Sequence, residues 1–65
     1  MKVKIIFKGD YMTLKETMIE ALQKIGYDTI TACELASDKM KEIATFPKGK
    51  HIIYIGETEI TFRKE

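Results

Sequence analysis

The sequence predicts an α+β two-layer sandwich in the order β-α-(β)-α-β-β. Two helices lie on one face of a 3-4 stranded sheet that ends in a C-terminal β-hairpin. Three observations carry this expectation. First, two β-rich runs flank Gly56-Glu57 near the C-terminus, and glycine leading a two-residue loop suits a type II′ turn. Second, Leu14, Met18, Ala21, Leu22 and Ile25 recur at helical spacing. Third, Lys2-Val3-Lys4-Ile5-Ile6-Phe7-Lys8 alternates as a half-buried strand does.

In order along the chain, the first strand puts Val3, Ile5 and Phe7 on one face and Lys2, Lys4, Ile6 and Lys8 on the other, because side chains alternate with period two. Gly9-Asp10 ends it. Thr13-Leu14-Lys15-Glu16 has the pattern of a capping box opening a helix over residues 14–25. Glu20 and Lys24 stand in the favourable i,i+4 order. Gly26 suits a left-handed cap, with Tyr27 folding back on Leu22. Residues 27–31 are rich in strand formers and predict a short second strand. The alternative is a direct helix–helix connection. Thr31-Ala32-Cys33-Glu34 is a second capping-box pattern, predicting a helix over about residues 33–45 with Ala32, Leu35, Ala36, Met40, Ile43 and Ala44 on one stripe. Phe46-Pro47 stops it. In the hairpin, a two-residue loop pairs Ile55 with Thr58, Ile53 with Ile60 and His51 with Phe62 on one side. The core expected from these faces joins Val3, Ile5, Phe7, Ile53, Ile55, Ile60 and Phe62 to Leu14, Met18, Leu22, Ile25, Leu35, Met40 and Ile43.

The chain of 65 residues is read as one small domain, 1–65. A chain of this length buries about 60% of its unfolded surface, so its margin of stability is thin. Its single cysteine, Cys33, permits no internal disulfide. That and the lack of a signal-peptide pattern point to a reducing cytoplasm. No apolar run approaches the roughly 20 residues of a membrane span. The net charge of +1 is unevenly spread. Residues 10–45 are acid-rich, whereas Lys2, Lys4, Lys8, Lys48, Lys50, Arg63 and Lys64 sit in the strand-like ends. Charge that segregates by element tends to segregate by face. The short, Lys/Ile/Glu-rich chain also suits a small phage or mobile-element protein.

With both helices on one face, the other face of the sheet is bare. Lys4, Ile6, Lys8, Ile52, Tyr54, Thr61 and Arg63 are the candidate partner-binding residues, an Ile/Tyr centre inside a basic surround. Lys50 and Glu59 lie near its edges. The functional expectation is a small non-catalytic protein-binding module acting on a partner with an acidic surface. A homodimer through the sheet face or an edge strand is its symmetric version. A nucleic-acid-binding regulatory protein using the same face is the alternative, weakened by the single aromatic and the low net charge. Ordinary solvent-side residues of a sheet are the plainest reading.

No metal site, cofactor or catalytic group is expected. His51 has no second histidine and is read as structural beside Phe62. Cys33 is read as a small packed residue. Asp10 forms a turn after Gly9 as readily as it would hold a cation.

Met1 to Ala32 resembles the opening βαβ unit of many small α/β domains, receiver-like ones among them, in its lysine-rich strand, helix, Gly26-Tyr27 and second strand. Receivers carry an acidic cluster after the first strand, where Asp10 here stands alone. The resemblance is one of element order and assigns no family.

Overall fold

The computed structural model describes residues 3–65, so Met1 and Lys2, the latter expected on the open face, lie outside the described residues. The elements are β1 (Val3–Ile6), a 3-10 turn (Tyr11–Thr13), α1 (Leu14–Lys24), α2 (Thr29–Ile43), β2 (Gly49–Ile55) and β3 (Thr58–Lys64). The class is α+β, with two helices and a mixed sheet of order β1-β3-β2. The hairpin forms the spine of the sheet. β3 is central, antiparallel to β2 and parallel to β1.

The hairpin register is the expected one: Ile55 pairs with Thr58, Ile53 with Ile60 and His51 with Phe62. Gly56 has φ +60°, and among the described residues no non-glycine residue has positive φ. A type I′ turn needs positive φ at both central residues, so the turn is type II′. Ile53, Ile55, Thr58, Ile60 and Phe62 are buried beneath the helices. Ile53, Ile55, Ile60 and Phe62 pack with Leu14, Met18 and Leu22 of α1 and with Ala32, Ala36 and Ile43 of α2.

Helix α1 occupies the expected range, and its C-terminus closes in a Schellman motif. Gly26 has φ +110°. The Gly26 amide donates to the Gln23 carbonyl and the Tyr27 amide to the Leu22 carbonyl, each at 3.1 Å. The N-terminus differs from expectation. Thr13 has helical dihedrals and makes no side-chain cap. Its hydroxyl instead donates to the Asp10 carbonyl at 2.7 Å. The Asp10 carboxylate accepts from the Met12 amide at 3.1 Å. The chain thus turns in through a 3-10 turn capped by Asp10, and the capping-box pattern is not used.

Residues 27–31 are not a strand; the direct helix–helix connection is the one formed. Asp28 is the N-cap of α2, its carboxylate accepting from the Thr31 amide at 3.0 Å. Gln23 Nε2 donates to Thr29 Oγ1 across the connection at 3.1 Å. Local β propensity loses here to a side-chain cap placed just after the Gly26 turn. With no second strand there is no βαβ unit, and the receiver-like element order ends at α1. Because α2 begins at Thr29, the Thr31–Glu34 pattern lies inside the helix.

Four residues expected on the buried faces are exposed. Leu35 is exposed because Ala32, Ala36, Met40 and Ile43 form the buried stripe, and Leu35 lies roughly 95° round the helix from its centre. Ala44 falls past the end of α2 and is exposed. Val3 and Ile25 are also exposed, Val3 at the edge strand and Ile25 over the hairpin turn.

Candidate interaction face

Strand alternation dictates what the uncovered face carries. With Thr58, Ile60 and Phe62 buried on the helix side, Glu59, Thr61 and Arg63 point the other way. The register aligns them with the outer strands in three rungs. Lys4, Glu59 and Tyr54 form the first, and Ile6, Thr61 and Ile52 the second. Arg63 and Lys50 form the third. Lys8 lies past the end of β1 and lines a cleft with Arg63. Thr61 is half-buried at the centre of the face.

The middle rung is an apolar stripe open to solvent. Ile6 is 71% and Ile52 54% exposed, and Tyr54 in the next rung is 58% exposed. Lys4, Lys50 and Arg63 are exposed around them. Glu59 is the carboxylate of this face, and it is engaged: the Tyr54 hydroxyl donates to Glu59 Oε1 at 3.1 Å. That hydrogen bond, with the carboxylate's negative charge, raises the phenol pKa above its ordinary value. The Tyr54 ring is thereby tethered across the strands. The face therefore presents an apolar centre, one oriented phenol and a largely cationic rim.

A cleft of about 650 Å³ lies beyond the C-terminal ends of β1 and β3. Lys8 and Arg63 line it together with Asp10 and Glu65, so its charges balance. Asp10 is occupied as the turn cap described above. Among the described residues no three of His, Cys, Asp and Glu are grouped as metal ligands. Cys33 is half-buried in the second turn of α2 and has no disulfide partner.

His51 sits at the rim of the core as expected. Its ring lies 4.9 Å from Phe46 and 5.8 Å from Phe62. Nε2 is 2.7 Å from the Pro47 carbonyl. A carbonyl only accepts, so Nε2 carries the proton and the imidazole is held as a packing group.

Two features escaped the sequence reading. Lys64 is on the helix side of β3, and its ammonium donates to the carbonyls of Ile43 (3.1 Å), Ala44 (2.9 Å) and Phe46 (2.8 Å). It also lies 5.3 Å from the centroid of the Tyr11 ring. It closes the C-terminal end of α2, where carbonyls lack partners and the helix dipole favours a cation. The signal available was its alternation with Phe62, but a terminal lysine reads as solvent-facing. The other is Asp28, whose pKa is lowered by its hydrogen bonds with Thr31.

Among the described residues no helix is long and apolar enough to cross a membrane. The fold and face together define a small two-layer α+β domain with an open mixed sheet. No family model, no curated protein and no solved structure matches the chain.

Proposed function

We propose that this chain is a small non-catalytic protein-binding module, an inhibitor, adaptor or regulator, that docks an acidic surface of another protein on its open sheet face. The supporting observation is the exposed Ile6–Thr61–Ile52 rung beside Tyr54, ringed by Lys4, Lys50 and Arg63. Apolar and aromatic anchors within a charged rim are the usual anatomy of a recognition surface. The basic rim steers an acidic partner and sets its orientation. The lone Cys33, unpaired, suits a reducing cytoplasm.

The same face offers less to nucleic acid. Stacking platforms present two or three aromatics, and this one presents Tyr54 alone, hydrogen-bonded to a carboxylate that repels phosphate.

The test is a pull-down from lysate, with and without nuclease, comparing the wild type with a Lys4→Ala/Tyr54→Ala/Arg63→Ala variant whose fold is verified by circular dichroism. A protein retained through nuclease treatment and lost in the variant is the expected result. Recovery of nucleic acid, released with a steep salt dependence, would overturn the reading. So would a protein bound equally by both versions.

A further inference from the structure

The two edges of the sheet are built differently. β1 has four residues, and its outward side chains include Lys4, a common device for blunting an edge. β2 is seven residues long and carries no proline within Gly49–Ile55. Its exposed middle is Ile52 and Tyr54. Lys50, near one end, is the one charged side chain of this edge, and a long, regular edge is a template for another strand.

Hairpin geometry fixes which backbone groups are free. The residues flanking a two-residue turn form a hydrogen-bonded pair, and such pairs alternate along an antiparallel ladder. Ile55, Ile53 and His51 therefore bond to β3, and the amides and carbonyls of Lys50, Ile52 and Tyr54 point outward from the edge.

We propose that the occupant of this edge is β2 of a second copy, paired antiparallel about a two-fold axis at Ile52. In that register Ile52 faces its own counterpart, and Lys50 of each copy faces Tyr54 of the other. Each of these residues exchanges both main-chain hydrogen bonds with its opposite. The charges agree with the symmetry: each Lys50 comes beside the Tyr54–Glu59 pair of the other copy, the carboxylate of an otherwise cationic face. Lys50 keeps Arg63 as its neighbour on β3, and the dimer sets the Tyr54–Glu59 pair of the other copy on its opposite side, offsetting that like charge. A dimer stacked face to face is disfavoured, because it presses Lys4, Lys50 and Arg63 against themselves. Edge pairing leaves the open face free and joins the two apolar rungs into one stripe through Ile52. This inference does not depend on the partner proposed above.

The test is sedimentation equilibrium of the full chain over a wide concentration range. The wild type is expected to dimerise. Ile52→Pro removes an outward amide without removing a β2–β3 bond and is expected to be monomeric, whereas Ile52→Ala, which keeps that amide, still dimerises. Lys50→Glu and Glu59→Lys are each expected to weaken the dimer at least about tenfold by placing like charges together, and the double variant to recover it. Lys50→Glu also gains an attraction to Arg63, so it keeps its fold. A wild type that stays monomeric at millimolar concentration would overturn the proposal. So would a folded Ile52→Pro variant that dimerises unchanged, or a charge-swapped double variant no tighter than its parents.

Discussion

Replacing Lys64 with methionine keeps the length and apolar stem of the side chain and removes the ammonium. In the folded chain that ammonium bridges three carbonyls at 2.8–3.1 Å, at the end of α2 and in the loop beyond it. A hydrogen bond to a charged group contributes about 1.5–3 kcal/mol net in isolation. Three bonds do not add here, because one desolvated ammonium serves all of them and the Ala44 bond is exposed. A cation at a partly buried helix C-terminus contributes up to about 2 kcal/mol. The expected loss for Lys64→Met is therefore about 2 kcal/mol. A folded chain of this length has roughly 3–10 kcal/mol in total, so the urea midpoint should fall substantially at constant slope. The melting temperature should drop by roughly 8–16 °C. A loss under about 0.5 kcal/mol would refute the reasoning, since it would mean that water satisfies those carbonyls as well as Lys64 does.

Other perturbations test the turns and caps. Asp28→Ala should lower the urea midpoint by removing the α2 cap. Because the folded Asp28 pKa is depressed, its contribution is present above the ordinary aspartate range and is lost as pH falls through the lowered value; the wild type should lose more stability than Asp28→Ala on acidification over that window. Gly56→Ala should destabilise by about 1–3 kcal/mol, because φ +60° strains a residue with a Cβ, while the Ile25 Cδ1 methyl 2.8 Å from that Cβ has only to swing aside; an unchanged melting temperature would argue against a type II′ turn. In a spectrophotometric titration Tyr54 should ionise above the ordinary tyrosine range, and Glu59→Gln should bring it back down; equal titration in both proteins would remove the Tyr54–Glu59 hydrogen bond from the account.

Much of the fold is legible in local patterns. The glycine of a two-residue turn sets the whole hairpin register, and period-two alternation then assigns each residue of β2 and β3 to a face. Gly26 with Tyr27 marks the end of α1 because only a left-handed cap satisfies the last carbonyls that way. What escaped were choices between equally good local signals. Thr13 and Asp10 both cap well, and the 3-10 turn decides between them. Tyr27 to Thr31 has strand propensity, but Asp28 sits where a helix cap is needed. Leu35 shares the apolar character of Ile43 but not its angle on α2. The role of Lys64 depends on where α2 ends in space, which no local pattern carries. For the candidate face, alternation alone gathers Lys4, Ile6, Ile52, Tyr54, Thr61 and Arg63 on one side. The hairpin register already sets Tyr54 opposite Glu59, but it does not fix the side-chain rotamers that bring the hydroxyl to Oε1.

Tyr54→Ala, assayed against the partner recovered by pull-down, separates a role for the open sheet face in recognition from a role in the core beneath it. Affinity and melting temperature would be measured on the same variant. The expected result is a loss of affinity of at least about fivefold with a melting temperature close to that of the wild type, because Tyr54 is exposed and anchors nothing in the core. Unchanged affinity with a clear loss of stability would contradict it, and would make Tyr54 part of the fold instead of its recognition surface.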